Sequence, residues 1–158
     1  MTDVFDSRKR SEVMSKIRGK GNKSTELALV SAFRKAGIKG WRRHLVIKIR
    51  SDAEPSYGRD GKAKILAIKP DFVFRKERVA VFGDGCFWHK CPLHSRLPDN
   101  NREFWEHKLS QNVERDRIAD RELRKAHWRV VRAWEHDIAR KSASVMARVR
   151  RALHERSA

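Results

Sequence analysis

The chain has 158 residues, which is enough for one domain with a substantial hydrophobic core. Hydrophobic residues make up 39% of it and five are tryptophan, so a folded chain is expected despite a charged fraction of 37%. The formal net charge of +18 is the strongest global signal. A single domain this basic usually binds a polyanion, with DNA or RNA as the first expectation, although a merely well-solvated surface is the alternative.

The sequence argues against a membrane protein and predicts an intracellular one. No apolar run approaches the roughly 18 residues of a membrane span, and the start of the chain lacks an apolar signal core. The two cysteines, Cys86 and Cys91, lie five positions apart. In a reducing cytosol this spacing indicates metal binding before a disulfide.

Two segments open the chain. Residues 1–23 are basic and polar, and they could form either a short helix or a disordered tail. A clear helix is then predicted from Ser24 to Ala36, with Gly37 as its stop. Glu26 lies on the inward face of this helix, where it belongs to the core or to a site, or is simply an acid favoured by the helix dipole. The buried stripe has three- and four-residue spacing: Leu29, Val30 and Phe33.

The rest of the chain alternates between strand and helix patterns. In order, we predict a strand at 45–49, a loop at 51–63, a second candidate strand at 64–69, a hairpin at 70–82, a long helix from Asn100 to Lys125, a strand at 128–134 and a basic helix at 142–156. Asn100 and Glu103 have the spacing of a capping box, and Phe104 and Trp105 are counted among the apolar positions of the long helix. This order predicts an α/β fold with a mixed central sheet flanked by helices.

A carboxylate at the sheet edge is the first candidate for chemistry. Asp71 follows Pro70 at the start of the predicted hairpin, whose second strand leads to Asp84. Mg²⁺ takes oxygen ligands and is usually held by one or two carboxylates together with a substrate phosphate, as in phosphodiester hydrolysis. A turn-forming aspartate is the plainer interpretation of Pro-Asp.

A cysteine and histidine cluster follows directly. Cys86, Cys91 and His94 have the spacing C-x4-C-x2-H, and Zn²⁺ prefers four such sulfur and nitrogen ligands in a tetrahedron. His136, just after the last predicted strand, is our choice for the fourth ligand, because strand ends in one sheet can lie close together. Two reduced thiols near unrelated histidines are the alternative. The other histidines, apart from His89, are expected to lie on the surface: His44, His107, His127 and His154.

His89 lies inside this cluster and is the candidate general base, since a neutral imidazole near pH 7 can take a proton from an attacking water. Phe87 and Trp88 beside it, with Trp105 on the following helix, could stack on or wedge between bases. Packing of these aromatic residues in a core is the alternative.

These residues together resemble the very short patch repair (Vsr) DNA mismatch endonucleases. The resemblance covers residues 1–36 and 70–136, and its DGCFWH and NREFW–NVERDR blocks are highly specific. The matching blocks are PDF at 70–72, DGCFWH at 84–89, NREFW at 101–105, NVERDR at 112–117, WRV at 128–130 and WE at 134–135.

The resemblance implies a restriction-endonuclease-like fold of the PD-(D/E)xK superfamily, with Mg²⁺ as catalytic ion and Zn²⁺ as structural ion. Asp71 matches the metal-binding carboxylate, the carbonyl of Gly83 a second metal contact, His89 the general base, and Glu26 an acidic residue near the site. Asp84 is ranked lower, as a further ligand or a supporting group. The structural zinc ligands match Cys86, Cys91, His94 and His136; the residues that enter the DNA stack match Met14, Phe87, Trp88 and Trp105.

The implied activity is a nick in duplex DNA on the 5′ side of the T in a T:G mismatch, which initiates repair of deaminated 5-methylcytosine. The resemblance further implies a monomeric, cytoplasmic bacterial protein that associates with the nucleoid through its DNA. Residues 1–158 would form one endonuclease domain, in which 1–23 is a DNA-clamping arm and 24–158 the catalytic core. Two alternatives stay open: a related nicking or sequence-specific endonuclease without T:G preference, and a zinc-stapled DNA-binding protein that no longer cuts.

The sequence departs from the expected pattern in two places. The second catalytic strand has Gly83, Asp84 and Gly85 where the superfamily has E-x-K, so the role of the lysine must be filled otherwise. Residues 48–69 form a longer segment than the family resemblance leads us to expect.

Overall fold

A four-stranded mixed sheet organises the protein. The computed structural model describes residues 25–51 and 64–155. The sheet contains β1 (Trp41–Arg43), β4 (Phe72–Phe74), β5 (Val79–Asp84) and β6 (Arg129–Trp134), in that spatial order, while β2 (Ile47–Arg50) and β3 (Ile65–Ile68) pair separately as a two-stranded antiparallel sheet. β4 is antiparallel to both β1 and β5, whereas β5 and β6 are parallel.

The parallel pair decides where distant side chains meet. In its register Val79 pairs with Arg129 at one end and Asp84 with Trp134 at the other. The carboxyl ends of both strands therefore lie at the same edge of the sheet, and the residues that follow each strand leave from that edge together. The prediction that residues just after these two strands lie close together is confirmed.

Helices cover both faces of the sheet. The helices are α1 (Glu26–Lys35), α2 (Arg102–Lys125), α3 (Glu135–Arg140) and α4 (Ser142–His154). On one face, Phe33 of α1 packs edge-to-face against Phe72 and Phe74, and residues of α3 and α4 complete this core. On the other face, Leu123 of α2 packs with Val73 and residues of the two-stranded sheet. The predicted α/β fold with helices flanking a mixed sheet is confirmed.

Two local predictions were wrong, and two short elements were not predicted. The long helix begins at Arg102, and its N-cap, Asn101, has a φ of 55° without a side-chain capping bond, so Asn100 and Glu103 form no capping box there. Phe104 is 60% exposed rather than apolar core, because it lies beside Trp105 and not on the inward stripe. β1 and α3 were missed, since the charged sequence of β1 has no alternation and the six residues of α3 follow β6 without a break.

The remaining predicted elements are found near their expected positions. β2 and β3 occupy the two ends of the long 48–69 segment and pair with each other. The predicted N-terminal arm, with Met14, lies outside the described residues. None of the helices within 25–51 and 64–155 is both long and apolar enough to cross a membrane.

Candidate active site

An acidic group lies where α1, β1 and β4 meet. Glu26, His44 and Asp71 each offer a ligand atom, and these atoms lie within 4.8 Å of one another. Glu26 is 2% exposed on the first turn of α1, so its predicted inward position is confirmed. Asp71 precedes β4, and its Oδ2 accepts a hydrogen bond of 2.8 Å from the backbone N–H of Gly83 on β5. Two carboxylates and an imidazole thus converge at the sheet edge.

The electrostatics of this group favour a bound cation. Burial raises the pKa of Asp71, and the nearby carboxylates of Glu26 and Asp84 raise it further, while the Gly83 N–H and His44 oppose the rise. A half-buried carboxyl beside like charges is costly to ionise in the absence of a counter-ion. A divalent cation would relieve that cost, and carboxylate oxygens are the ligands that Mg²⁺ prefers.

His44 does not lie on the surface as predicted. Its φ of 55° turns the chain after β1, its backbone N–H donates to the Asp71 carbonyl at 3.2 Å, and its Nε2 lies 2.7 Å from Glu26 Oε1. Arg43 also donates to Glu26 Oε1, with its Nε at 2.7 Å. The prediction failed because His44 belongs to no motif, and its partners are 18 and 27 positions away in the chain.

A second network surrounds His89. Its Nδ1 lies 2.5 Å from Oδ2 of Asp116 on α2 and 3.8 Å from Oδ1 of Asp84. Burial alone would lower the pKa of His89, but the hydrogen bond to Asp116 and the charge of Asp84 raise it. Burial likewise works to raise the pKa of Asp116, but His89 and Arg132 lower it. The imidazole is therefore held in a fixed orientation by an ionised carboxylate.

Arg132 of β6 connects this network to the sheet. Its guanidinium donates to Asp84 at 2.8 Å, to Asp120 at 2.9 Å and to Asp116 at 3.3 Å, and it lies 4.3 Å above the ring of Phe82. Burial raises the pKa of Asp84 although Arg132 opposes that shift. The carboxylate of Asp84 is thus engaged by Arg132 and faces His89.

Asp116 and Arg132 were not predicted from the sequence to belong to the site. One available signal was the four-residue spacing of Asn112, Asp116 and Asp120, which places three polar residues on one face of α2. That face turns toward the loop after β5, where the Asn112 amide donates to the Trp88 carbonyl at 3.2 Å. No signal of comparable strength identified Arg132.

The predicted cysteine and histidine cluster assembles. The Nδ1 atom of His136 lies 3.3 Å from Cys86 Sγ and 3.7 Å from Cys91 Sγ, and His94 Nδ1 lies 3.7 Å from Cys91 Sγ. All four ligand atoms lie within 4.8 Å of one another. A tetrahedral zinc ion with ordinary Zn–S and Zn–N bonds would separate sulfur from nitrogen by about 3.6 Å. The group therefore has the donors and the spacing of a closed four-ligand metal site.

The aromatic residues also come together. Phe87, Trp88 and Trp105 pack mutually, with ring centroids 5.2 to 6.2 Å apart and steeply tilted planes. Trp105 is 6% exposed, whereas Phe87 and Trp88 are half-buried. In this arrangement Trp105 forms the buried part of the cluster, and Phe87 and Trp88 form its accessible part beside His89.

Gly83 gives a test of how tightly the site is packed. A Cβ at Gly83 would lie 3.1 Å from Cδ1 of Leu29 in α1 and 3.2 Å from Cβ of Thr25, the buried N-cap of that helix. A Cβ at Gly85 would meet only Trp88, at 3.5 Å. Gly83→Ala is expected to lower the free energy of unfolding by about 1–3 kcal/mol, because overpacking displaces α1. Gly85→Ala, the matched control, should stay within about 0.5 kcal/mol of the wild type. Urea unfolding of both variants checks this, and equal stabilities would contradict it.

Comparison with known proteins adds independent information. The matching family model is described as DNA mismatch endonuclease Vsr and covers residues 59–94. The type II nicking enzyme V.NaeI of Lentzea aerocolonigenes is 43% identical over 128 residues, which is 81% of this chain and 68% of that enzyme. The type II nicking enzyme V.NmeDIP of Neisseria meningitidis serogroup C is 31% identical over 98% of this chain and 92% of its own length.

The DNA mismatch endonuclease Vsr of Escherichia coli is 43% identical over 72 residues, 44% of this chain and 46% of that protein. The part of the chain matched by the family model includes the segment from Asp71 to His94, which supplies most of the candidate site. The chain therefore belongs to the Vsr family and is an endonuclease that acts on DNA.

Proposed function

We propose that the protein nicks duplex DNA on the 5′ side of the T in a T:G mismatch and so initiates very short patch repair. The observation that carries the proposal is the adjacency of a cation-attracting carboxylate group, an oriented imidazole and an aromatic cluster at one sheet edge. Because a T:G mismatch is an asymmetric lesion, the active species is proposed to be a monomer.

Nucleases of this family depend on a metal ion, and we assign the catalytic ion as Mg²⁺. Asp71 and the carbonyl of Gly83 would hold it, and Glu26 adds negative charge beside them. When bound, the ion supplies a Lewis acid that neutralises charge on the scissile phosphate and the leaving oxygen. The burial and like-charge contacts that raise the pKa of Asp71 support this fit.

His89 is proposed as the general base. Since Asp116 is an ionised acceptor, the tautomer that fits the 2.5 Å contact carries its proton on Nδ1, which leaves the lone pair of the neutral ring on Nε2. That nitrogen can take the proton of an attacking water. Asp116 orients the ring, and Arg132 in turn holds Asp116 and Asp84 in place. We propose that the fold is restriction-endonuclease-like. In that fold the second catalytic strand usually carries the E-x-K lysine, which β5 lacks, and the His89 network is proposed to fill the role of that lysine.

The four-ligand site is proposed to bind structural Zn²⁺. Cys86, Cys91, His94 and His136 would leave no open coordination position, which is the arrangement of a structural rather than a catalytic zinc ion. The ion would fix the loop that carries His89, Phe87 and Trp88.

The aromatic cluster is the proposed means of mismatch recognition. Insertion of Phe87 and Trp88 between base pairs, supported by Trp105, costs roughly a few kcal/mol per unstacked step. A mispaired step is already easier to open, so the same wedge favours it. The basic arm at 1–23, with Met14, is proposed to clamp the duplex as part of the one endonuclease domain formed by residues 1–158.

A second candidate function is a nicking endonuclease without T:G preference. It is favoured by the two relatives named as type II nicking enzymes, which match far more of the chain than the E. coli Vsr protein does. An inactive zinc-stapled DNA-binding protein is disfavoured, because Asp71 and His89 are both present and each has a hydrogen-bond partner at the sheet edge.

One cleavage experiment separates these functions. Duplexes that differ only in carrying T:G or T:A at a central position, within randomised flanks, are incubated with the protein and Mg²⁺, each strand labelled separately. We expect nicks only in the T strand of T:G duplexes, on the 5′ side of the T. Equal nicking of T:A duplexes would establish the second candidate, and no nicking of any duplex would overturn both.

A further inference from the structure

We propose that His44 is a ligand of the catalytic metal ion and makes this site bind Mn²⁺ in preference to Mg²⁺. The inference rests on the proposed function, which places that ion on Asp71. It adds a nitrogen donor to a site otherwise made of oxygen atoms, and it assigns a residue that no motif of the sequence marks.

The backbone holds His44 at the acidic group. β1 pairs with β4 so that Arg43 lies opposite Phe72, and the chain then turns at His44 with a φ of 55°. The His44 N–H donates to the carbonyl of Asp71 itself. His44 is therefore anchored through its backbone to Asp71, the residue proposed to hold the metal, and through its side chain to Glu26.

The side-chain geometry is that of two ligands around one ion. Nε2 of His44 lies 2.7 Å from Glu26 Oε1, and one ligand atom of Asp71 lies within 4.8 Å of both residues. An ion with bonds of about 2.1 Å spans neighbouring ligands about 3 Å apart. Replacing the proton shared by His44 and Glu26 with a metal ion thus requires the two atoms to separate by only a few tenths of an ångström.

The surrounding charges permit a metal ion to replace the proton shared by His44 and Glu26. Glu26 and Asp71 contribute two negative charges, and Arg43 contributes one positive charge through its contact with Glu26 Oε1. The Arg43 side chain is 35% exposed, whereas that of Glu26 is 3% exposed, so the arginine can withdraw into solvent while the glutamate stays. A divalent ion would then be the counter-ion of both carboxylates.

The nitrogen donor of His44 predicts the preference of the site for Mn²⁺ over Mg²⁺. Mg²⁺ demands oxygen ligands and gains little from imidazole, whereas first-row transition ions, of which Mn²⁺ is the hardest, accept nitrogen. We expect the zinc-loaded full chain to bind Mn²⁺ at least about tenfold more tightly than Mg²⁺. Mg²⁺ remains able to fill the same site through its oxygen ligands.

The test measures bound Mn²⁺ by electron paramagnetic resonance, independently of cleavage. His44→Asn suits the left-handed backbone and removes the imidazole. We expect it to weaken Mn²⁺ binding by about tenfold or more, to change Mg²⁺ binding by less than about threefold, and to remove the imidazole nitrogen coupling from the spectrum of bound Mn²⁺. His44→Asp should restore Mn²⁺ affinity without the nitrogen coupling, which separates loss of a ligand from loss of fold.

His107→Asn, at an exposed histidine of α2, is the matched control and should bind both ions as the wild type does. Nitrogen coupling that is absent from the wild type, or that persists in His44→Asn, overturns the assignment of His44 and leaves the proposed function intact. Unchanged Mn²⁺ binding in Asp71→Ala would instead overturn the metal assignment on which the proposed function rests.

Discussion

Asp71→Asn is expected to lower the nicking rate by about 10³-fold or more, because the neutral amide cannot hold the catalytic cation and the ion's several kcal/mol of transition-state stabilisation are lost. The substitution preserves side-chain shape and the acceptor for the Gly83 N–H, so the fold should be retained. Single-turnover cleavage of an end-labelled duplex, with protein in excess, measures the effect.

Asp99→Asn is the matched control for this variant, since Asp99 is exposed and has the same chemistry. It should cleave at the wild-type rate. Duplex binding by Asp71→Asn should match the wild type or exceed it, because the substitution removes a negative charge from a surface that faces phosphates. A rate above a tenth of the wild-type value would contradict the role of Asp71.

Removal of one zinc ligand is expected to have the largest effect on stability. His136→Ala should abolish zinc binding and lower the free energy of unfolding by about 3 kcal/mol or more, since a structural zinc ion contributes its binding energy to the fold. For a chain of this length that corresponds to a fall in melting temperature of roughly 10 °C. Metal analysis of the purified protein and thermal unfolding monitored by circular dichroism are the measurements.

A chelator separates the contribution of the bound zinc ion to stability from the contribution of the packing of the His136 side chain. The wild type in excess chelator should melt near the temperature of His136→Ala, and the variant should not respond further. His107→Ala, which removes an exposed histidine of α2, should retain both zinc and stability. If the wild type contains no zinc, or if chelation leaves its melting temperature unchanged, the zinc assignment is wrong.

The sequence revealed those parts of the site whose residues are close in the chain. The inward position of Glu26 followed from its helical phase with Leu29, Val30 and Phe33. The proposed zinc ligands Cys86, Cys91 and His94 share one loop, and only His136 had to be inferred from a second strand end. In each case periodicity or spacing carries the information.

The contacts that sequence reasoning missed all depend on how separate elements dock. His89 and Asp116 are 27 positions apart and meet only because α2 packs across the sheet. Arg132 reaches Asp84 across the parallel strand pair, and His44 reaches Glu26 through a strand of three residues with no apolar pattern. Local sequence fixes none of these distances, so tertiary packing determines which of several similar polar residues enter the site.

The parallel pairing of β5 with β6 also sets the order in which the active site can be completed during synthesis. A ribosome releases Glu26, Asp71 and His89 well before it reaches Arg132 and His136, which lie on or just after β6. A nascent chain that ends before residue 129 therefore lacks Arg132, the cation that neutralises Asp84 and Asp116, and also lacks His136, the proposed fourth ligand of the cysteine and histidine cluster. Such fragments carry the residues proposed to cut DNA without the framework that aligns them, so translation must pass β6 before a cutting-competent nuclease can form.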